Sequence, residues 1–600
     1  MGRSKRAVVV ALRHVGQLER AVCARRWTRR RRQALIADVR LRRKRRRMPN
    51  CSDVLLVKTG SRVEAGEVWP TARACDVTDH NLATVCDLLD RAEVEYFFVP
   101  VASHEQTRIG ALETDKQRIW QALFDGELPI TTVLIPAGSS PGSAWPIGLR
   151  RTKRLRHRAH SAKVWTLYRA VTDPAGRRVL GVAYGCQIEF WSELEGTPDE
   201  REQAEAINAA EADTVAADLV EVQPADATDA TDATGGSTRV LVAGRRNRVA
   251  TTIDPDDIGR GKVIRCGRPI RTTPSMEAAW TADQEWFPID AVYTWVDDGD
   301  PDWRARRLAA LGCAPREVNA DGIADARYAN RDELRYALRS LHLFADFIGH
   351  VYLVTDRQTP EWLDTSHPDI TVVDHTEIFY DSDVLPTFNS HAIEARIHRI
   401  PGLSERYLYI NDDVYFARRL GPDAFFRQSG VSTYSCSRAL IGDGGASADE
   451  YSVTSAAKNG RALMFDEFRR FPTTKIKHTP HAQQRRVIAE IEQRFPEQYR
   501  SVGRHQFRAP DDISVASSLH HHVGEALGWA VHEQLPYEYV SLGAPDLGAR
   551  LDTLLARPRF ATWCLNDTGD DTTTDAVEDT LTEFLQRAFP WPSPFEKSTP

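Results

Sequence analysis

No run in this chain approaches the ~18 consecutive apolar residues that a membrane-spanning helix needs. The apolar stretch near its start, Ala7 to Leu12, is too short for a signal-peptide core, and no small-residue cleavage site follows it. Nine cysteines are scattered from Cys23 to Cys564 without a C-x-x-C pair, so neither a disulfide framework nor a zinc site is expected. The expectation is a cytoplasmic protein with reduced, mostly buried thiols. What the chain does have is length and apolar content. Its 600 residues are 42% hydrophobic and 8% aromatic, enough for several globular domains.

The net charge of −6 conceals an asymmetry. Residues 1–50 carry 18 Lys/Arg against only Glu19 and Asp38, with runs Arg29 to Arg32 and Arg42 to Arg47. Such an arm is a solvated tail or a ligand for an anionic membrane surface, each basic residue adding about 1 kcal/mol near such a surface; nucleic acid is not the expected partner. Residues 51–192 alternate strand-like and helix-like segments (a helix from Asn81 to Ala92 among them), and the basic run Arg150 to Arg158 reads as a solvated face. Residues 193–238 are acidic, Ala-rich and end in Asp-Ala-Thr repeats, the composition of a linker. Residues 239–285 read as strands that complete the preceding module.

The chemistry concentrates after Trp286. Tyr407-Leu408-Tyr409-Ile410 reads as a buried strand, and it runs into Asn411-Asp412-Asp413-Val414. Adjacent carboxylates at the end of a core strand repel each other and are disfavoured by burial, unless a divalent cation shares the site. An Asx-rich turn is the structural alternative. Three more strands end alike: Ile289 to Thr294 before Asp297-Asp298, His350 to Thr355 before Asp356, and Ile370 to Val373 before Asp374. That rhythm predicts a Rossmann-like parallel sheet, in which ligands bind beyond the carboxyl ends of the strands. Asn330 and Glu333 are placed to form a capping box on a helix whose Arg331 and Arg335, one turn apart, could face a phosphate. Asn389 or Ser390 caps a helix stopped by Pro401-Gly402, with Ile393, Ile397 and Ile400 on its buried stripe. His391, Glu394 and His398 share another face; solvation is the plainer reading of the two histidines.

From about residue 288 to 567 these motifs together resemble the Stealth family, which includes bacterial capsule and exopolysaccharide sugar-1-phosphate transferases and the catalytic subunit of N-acetylglucosamine-1-phosphotransferase. The four family blocks are matched by Ile289 to Asp298; by Arg331 to Tyr336 through Leu385-Pro386-Thr387-Phe388 to Asn411-Asp412-Asp413-Val414; by Lys475 to Pro496 around His478-Thr479-Pro480-His481; and by Arg557 to Asp567 with Cys564-Leu565-Asn566-Asp567. Carried over by position, the resemblance implies Glu394, Asp413, His478 and Arg508 as catalytic residues. Asp297-Asp298 departs from members with Asn-Gly there and receives no role. The large insertions of the animal enzyme are absent, which argues against a protein acceptor.

The fold class implied is α/β: a Rossmann-like catalytic domain over 286–570, a smaller N-terminal α/β or α+β accessory domain, a basic arm and a C-terminal tail over 571–600. The reaction implied transfers a sugar-1-phosphate from a nucleotide-diphosphate sugar, UDP-linked by expectation, to a hydroxyl of a growing polysaccharide. Asp413 with Asp412 would hold Mg²⁺ or Mn²⁺. Arg508 would bind phosphate oxygens, and His478 or Glu394 would take the acceptor proton. Arg331, Arg335, Asn389 and Asn566 complete the expected substrate contacts. The basic arm would hold the protein against the inner face of a membrane. The rival readings are a conventional metal-dependent glycosyltransferase, which would release UDP, and a non-catalytic carbohydrate or membrane-surface adaptor.

Overall fold

The computed structural model describes residues 53–597 except 60–61, 126–127, 130, 139–144, 147–152, 197–237, 246, 314–317, 381–383, 557–558 and 567–573. The basic arm, nearly all of the expected acidic linker and the Asp567 end of the fourth block lie outside the described residues. The chain divides into two compact units, one carried mainly by residues up to Met276 and the other by Glu277 onward.

The first unit is built on one large, mostly antiparallel sheet. Its spine runs Val54–Thr59, Arg62–Val68, Val164–Thr172, Cys186–Gly196, Thr238–Val242 and Thr252–Ile253. The last two strands pair antiparallel, Leu241 facing Ile253. The helix expected from Asn81 instead begins at Ala74. Asn81 is fully buried inside it, donating to the Tyr184 carbonyl at 2.8 Å and accepting from the Arg169 amide at 2.7 Å. Its side chain bridges two elements rather than starting one.

The second unit holds a five-stranded sheet. Its parallel members are β1 (Ile289–Thr294), β2 (Val351–Thr355), β3 (Ile370–Asp374) and β4 (Arg406–Asn411), in the order β3-β2-β1-β4. The central strands are near-continuous apolar runs because helices cover both faces of a parallel sheet. The order reverses between β1 and β4, with Thr294 facing Asn411 across the pair. That reversal opens a crevice beyond the strand ends, where doubly wound sheets take their ligands.

Two further pairings bring distant sequence to that crevice. Strand β5 (Val414–Phe416) continues β4 and pairs with β8 (Thr562–Asn566), Val414 opposite Cys564, and β7 (Tyr537–Ser541) flanks β8 in parallel. Strand β6 (His481–Gln484) runs antiparallel to β4, Tyr409 opposite His481. Residues just before His481 therefore emerge where β4 ends.

Three of the four strand-end acids have structural work instead. Asp356 is paired with Arg306 at 3.0 Å. Asp374 caps the short helix His375–Ile378 in a capping box with Glu377. Asp297 closes its own turn on the Gly299 amide at 2.9 Å. Among the four described strand-end acids, Asp413 alone keeps a buried carboxylate oxygen without a hydrogen-bond partner. The expected C-terminal tail is also folded: helix Asp575–Ala588 is followed by buried Trp591 and Phe595, and Glu596 bonds Arg335 and Arg339.

Candidate active site

Asp413 sits between β4 and β5, its carbonyl accepting from the Leu565 amide at 3.0 Å. The β5–β8 ladder thus sets Cys564 and Asn566 beside it. Asn566 Nδ2 donates to Asp413 Oδ2 at 2.6 Å, and Tyr539 OH donates to Asn566 Oδ1 at 3.4 Å, which fixes the amide's orientation. The Cys564 sulfur is 3.5 Å from Asp413 Oδ2 and 3.2 Å from His478 Nδ1, and His478 Nδ1 is 3.9 Å from Asp413 Oδ2. Asp413 Oδ1 is buried with no hydrogen-bond partner. Burial, then the Glu333 and Asp413 charges, push Asp412 well above the carboxylate range. Burial raises Glu333 too, although the Arg331 amide and guanidinium oppose it. Three carboxylates crowded without enough cationic charge are the electrostatic signature of a cation site.

A second group stands on the neighbouring elements. Asn389 caps helix Ser390–Glu394, its Oδ1 accepting from the His391 amide at 3.0 Å. This turns Glu394 inward, where Oε1 accepts from Tyr409 OH at 3.4 Å and Oε2 from Ser517 at 3.0 Å. Arg508, also buried, donates from Nη1 to Ser452 Oγ at 3.0 Å and from Nη2 to Ser390 Oγ at 2.5 Å. Asp321 holds Ser452 in turn, at 2.6 Å from its hydroxyl. Gly322 lets this loop approach: a Cβ there would lie 3.0 Å from that of Arg508. Tyr409 links the groups. Burial raises its pKa well above the usual phenol value, Glu394 and Asp412 add to that, and Arg508 opposes it.

The structure thus gathers Asp412, Asp413, His478 and Asn566 at one end of β4, and Glu394 and Arg508 around Tyr409 on the same strand. Others of the expected residues stand elsewhere. Arg335 is spent on Glu596 at 2.7 Å and stacks over Trp362, so it anchors the C-terminal segment rather than a phosphate. Asn389 is fully buried, with Nδ2 on Asp512 at 2.9 Å, and has no group left for substrate. Arg331 packs between Glu333 (3.6 Å) and Glu578 (3.4 Å), next to the acidic group. The expected capping box is not formed: the helix starts at Glu333, whose carboxylate takes the Arg331 amide at 2.6 Å, while Asn330 accepts from the Asp332 amide. His391 and His398 are buried rather than solvated, paired with Asp512 and Glu492. The helix bearing them breaks after Glu394 into a 3₁₀ turn, Ile397–Arg399.

Sequence reading missed Glu333, Tyr409, Ser452, Ser517 and Cys564 as parts of the site. Glu333 looked like half of a capping box, and Tyr409 like core. Cys564 carried one available signal: it lies inside the fourth block, in Cys564-Leu565-Asn566-Asp567.

The second unit is thus a doubly wound α/β sheet with acidic residues gathered beyond the end of β4 and a buried arginine nearby. The family models for Stealth protein conserved regions 1, 2, 3 and 4 match residues 287–312, 327–434, 477–525 and 552–600. Exopolysaccharide phosphotransferase SCO2594 of Streptomyces coelicolor is 37% identical over 574 residues, 94% of this chain and 91% of that protein. Exopolysaccharide phosphotransferase CpsY of Mycobacterium tuberculosis is 38% identical over 315 residues, 52% of this chain and 58% of its own length. The chain belongs to the Stealth family. Among solved structures, mouse xyloside xylosyltransferase 1 aligns with 47% of this chain and 99% of its own at 10% identity and a TM-score of 0.26, too distant to carry weight.

Proposed function

We propose that this protein is a sugar-1-phosphate transferase of exopolysaccharide synthesis, taking its donor from a nucleotide-diphosphate sugar, most simply a UDP-sugar. The observation that carries the reading is the meeting of crowded carboxylates and a cradled arginine at the switch point of a chain whose relatives are named exopolysaccharide phosphotransferases. An acceptor hydroxyl attacks the sugar-proximal phosphorus. The phosphoanhydride bond breaks, nucleoside monophosphate departs with the bridging oxygen, and a sugar phosphodiester and one proton are left.

That displacement needs charge stabilisation and alignment more than covalent help. Arg508, its guanidinium plane set by two serine hydroxyls, presents a fixed fork to phosphate oxygens. The oxygen-rich Asp412–Asp413 pair, with the unpartnered Asp413 Oδ1, suits Mg²⁺ or Mn²⁺. Such an ion would neutralise charge on the diphosphate. Asn566 orients Asp413. His478, with 31% of its side chain exposed, is better placed to take the acceptor proton than Glu394, which is 3% exposed. Glu394 then serves to position Tyr409 and Ser517.

Among the described residues no helix is long and apolar enough to cross a membrane. The basic residues 1–50 would give the enzyme its hold on an anionic surface, a reading that flotation with anionic vesicles tests directly. The central test is product analysis with Mg²⁺ and a panel of nucleotide sugars. Release of nucleoside monophosphate with a new phosphodiester supports the assignment. Release of nucleoside diphosphate would replace it with glycosyl transfer.

A further inference from the structure

The two oxygens of Asp413 have different surroundings. Oδ1 is buried and unpartnered, whereas Oδ2 faces Asn566, the Cys564 sulfur and His478. The second set is chemically unlike a magnesium site. Magnesium prefers oxygen throughout, while sulfur and imidazole nitrogen favour zinc and its softer neighbours.

The spacing of these atoms comes near to what such an ion needs. The three edges of the triangle are 3.2 Å from His478 Nδ1 to Cys564 Sγ, 3.5 Å from Cys564 Sγ to Asp413 Oδ2, and 3.9 Å from His478 Nδ1 to Asp413 Oδ2. A tetrahedral zinc ion with ordinary Zn–S, Zn–N and Zn–O bonds separates its ligands by about 3.3–3.6 Å. The Cys564–Asp413 edge lies within that range, and a shift of the His478 ring by a few tenths of an ångström, away from Cys564 and towards Asp413, would bring the other two edges to it. The triangle's members come from three separate segments: the β5–β8 pairing holds Asp413 and Cys564 together through the Leu565 amide and the Asp413 carbonyl, and His478 is held apart from it by the Lys477 amide bond to the Ser435 carbonyl at 2.9 Å. Cys564 is fully buried, whereas 31% of the neighbouring His478 side chain is exposed.

We propose that Asp413, His478 and Cys564 form a three-ligand site for a thiophilic divalent cation, Zn²⁺ by its chemistry, and that occupation of this site inhibits the enzyme. The fourth position stays open to water or to a phosphate oxygen, the arrangement of three protein ligands plus one exchangeable ligand. Binding replaces the thiol proton: the S–H bond breaks, the S–Zn bond forms, and one proton passes to solvent with no change of oxidation state. Inhibition follows because the ion takes Asp413 Oδ2 and the His478 nitrogen, fixing both side chains that the transfer reaction would use. The site shares Asp413 with an oxygen-ligated Mg²⁺ at Asp412 and Asp413 but adds sulfur and nitrogen ligands, and its occupancy can be read without any turnover.

The test is a titration of the purified full chain with CoCl₂ under reducing conditions, followed by absorption spectroscopy. Expected are a near-ultraviolet thiolate-to-cobalt charge-transfer band and the visible bands of a tetrahedral ion, both removed by ZnCl₂. Cys564→Ser should lose the charge-transfer band, while Cys436→Ser and Cys266→Ser should keep it. His478→Gln, at a partly exposed position, should weaken cobalt binding by at least about tenfold, the lower end of what disturbing a metal's ligand environment costs. In the transfer assay with Mg²⁺ present, ZnCl₂ should inhibit the wild type at concentrations that spare Cys564→Ser relative to its own zinc-free rate. Absence of the thiolate band in the wild type, or its persistence in Cys564→Ser, overturns the site. Equal zinc sensitivity of the two proteins overturns the inhibitory role.

Discussion

Arg508 shows how much of this chemistry depends on the orientation of a single group. Its guanidinium is buried and bonded through both terminal nitrogens to Ser390 and Ser452, so its charge and its plane are fixed before any phosphate arrives. Lysine keeps the charge but cannot reproduce the fork. Arg508→Lys should therefore fold normally and lower kcat by about 10²–10³, the cost of losing one preorganised donor to a developing oxyanion. Steady-state kinetics alongside a thermal melt check it; unchanged kcat would remove Arg508 from phosphate stabilisation. The same scale explains why Asp413 stands apart from Asp297, Asp356 and Asp374. Those three have a turn amide, an arginine or a helix start to satisfy them, whereas one oxygen of Asp413 has nothing.

Between elements, Asp512 is the residue that joins the helix of Glu394 to the loop of Arg508. Buried completely, it accepts from Asn389 at 2.9 Å and lies 3.2 Å from His391, both on the helix of Glu394. It also accepts from the Ala509 amide at 3.1 Å and lies 2.7 Å from His505, both on the loop of Arg508. Burial alone would raise its pKa, but the hydrogen bonds from His391, His505 and Asn389 hold it at about 2. That difference from an ordinary carboxylate corresponds to about 2 kcal/mol, so Asp512→Asn should destabilise the unit by about that much in denaturant titrations and loosen Glu394 and Arg508 together. The same pair sets a pH dependence. Asp512 contributes above the normal carboxylate range and loses its contribution only as pH falls towards 2. His505 is raised, chiefly by its bond to Asp512; its contribution is present below the ordinary histidine value of about 6.5 and fades as pH climbs through the raised one. Between pH 6 and 8 the melting temperature of His505→Asn should therefore fall less than that of the wild type, and parallel curves would exclude the pair as the cause.

At the level of the whole second unit, the C-terminal residues close the structure. Glu596, almost fully buried, bonds Arg339 at 2.6 Å and Arg335 at 2.7 Å on helix Glu333–Phe344, whose first residue belongs to the acidic group. Glu596→Gln leaves two arginines without their partner, and breaking a buried ion pair from one side costs about 3 kcal/mol. The expected result is a lower melting temperature and faster proteolysis after Ala588, with transfer activity falling less than stability. A variant as stable as the wild type would show that Trp591 and Phe595 hold the segment without the ion pair.

The sequence alone was enough for the parallel strands, because strands buried on both faces are continuous apolar runs, and it singled out Asp412 and Asp413 as candidates, because paired acids ending such a run have few structural uses. It was also enough for the resemblance that brought His478, Arg508 and Asn566 into view. Tertiary structure decided which acids remained free for a ligand, turned Arg335 and Asn389 to structural tasks, and set Glu333 and Cys564 beside Asp413. The physical reason is distance along the chain. Capping and turn chemistry act between near neighbours and leave local patterns, whereas the contacts among residues 333, 413, 478 and 564 arise from strand order and ladder register, which no local spacing records.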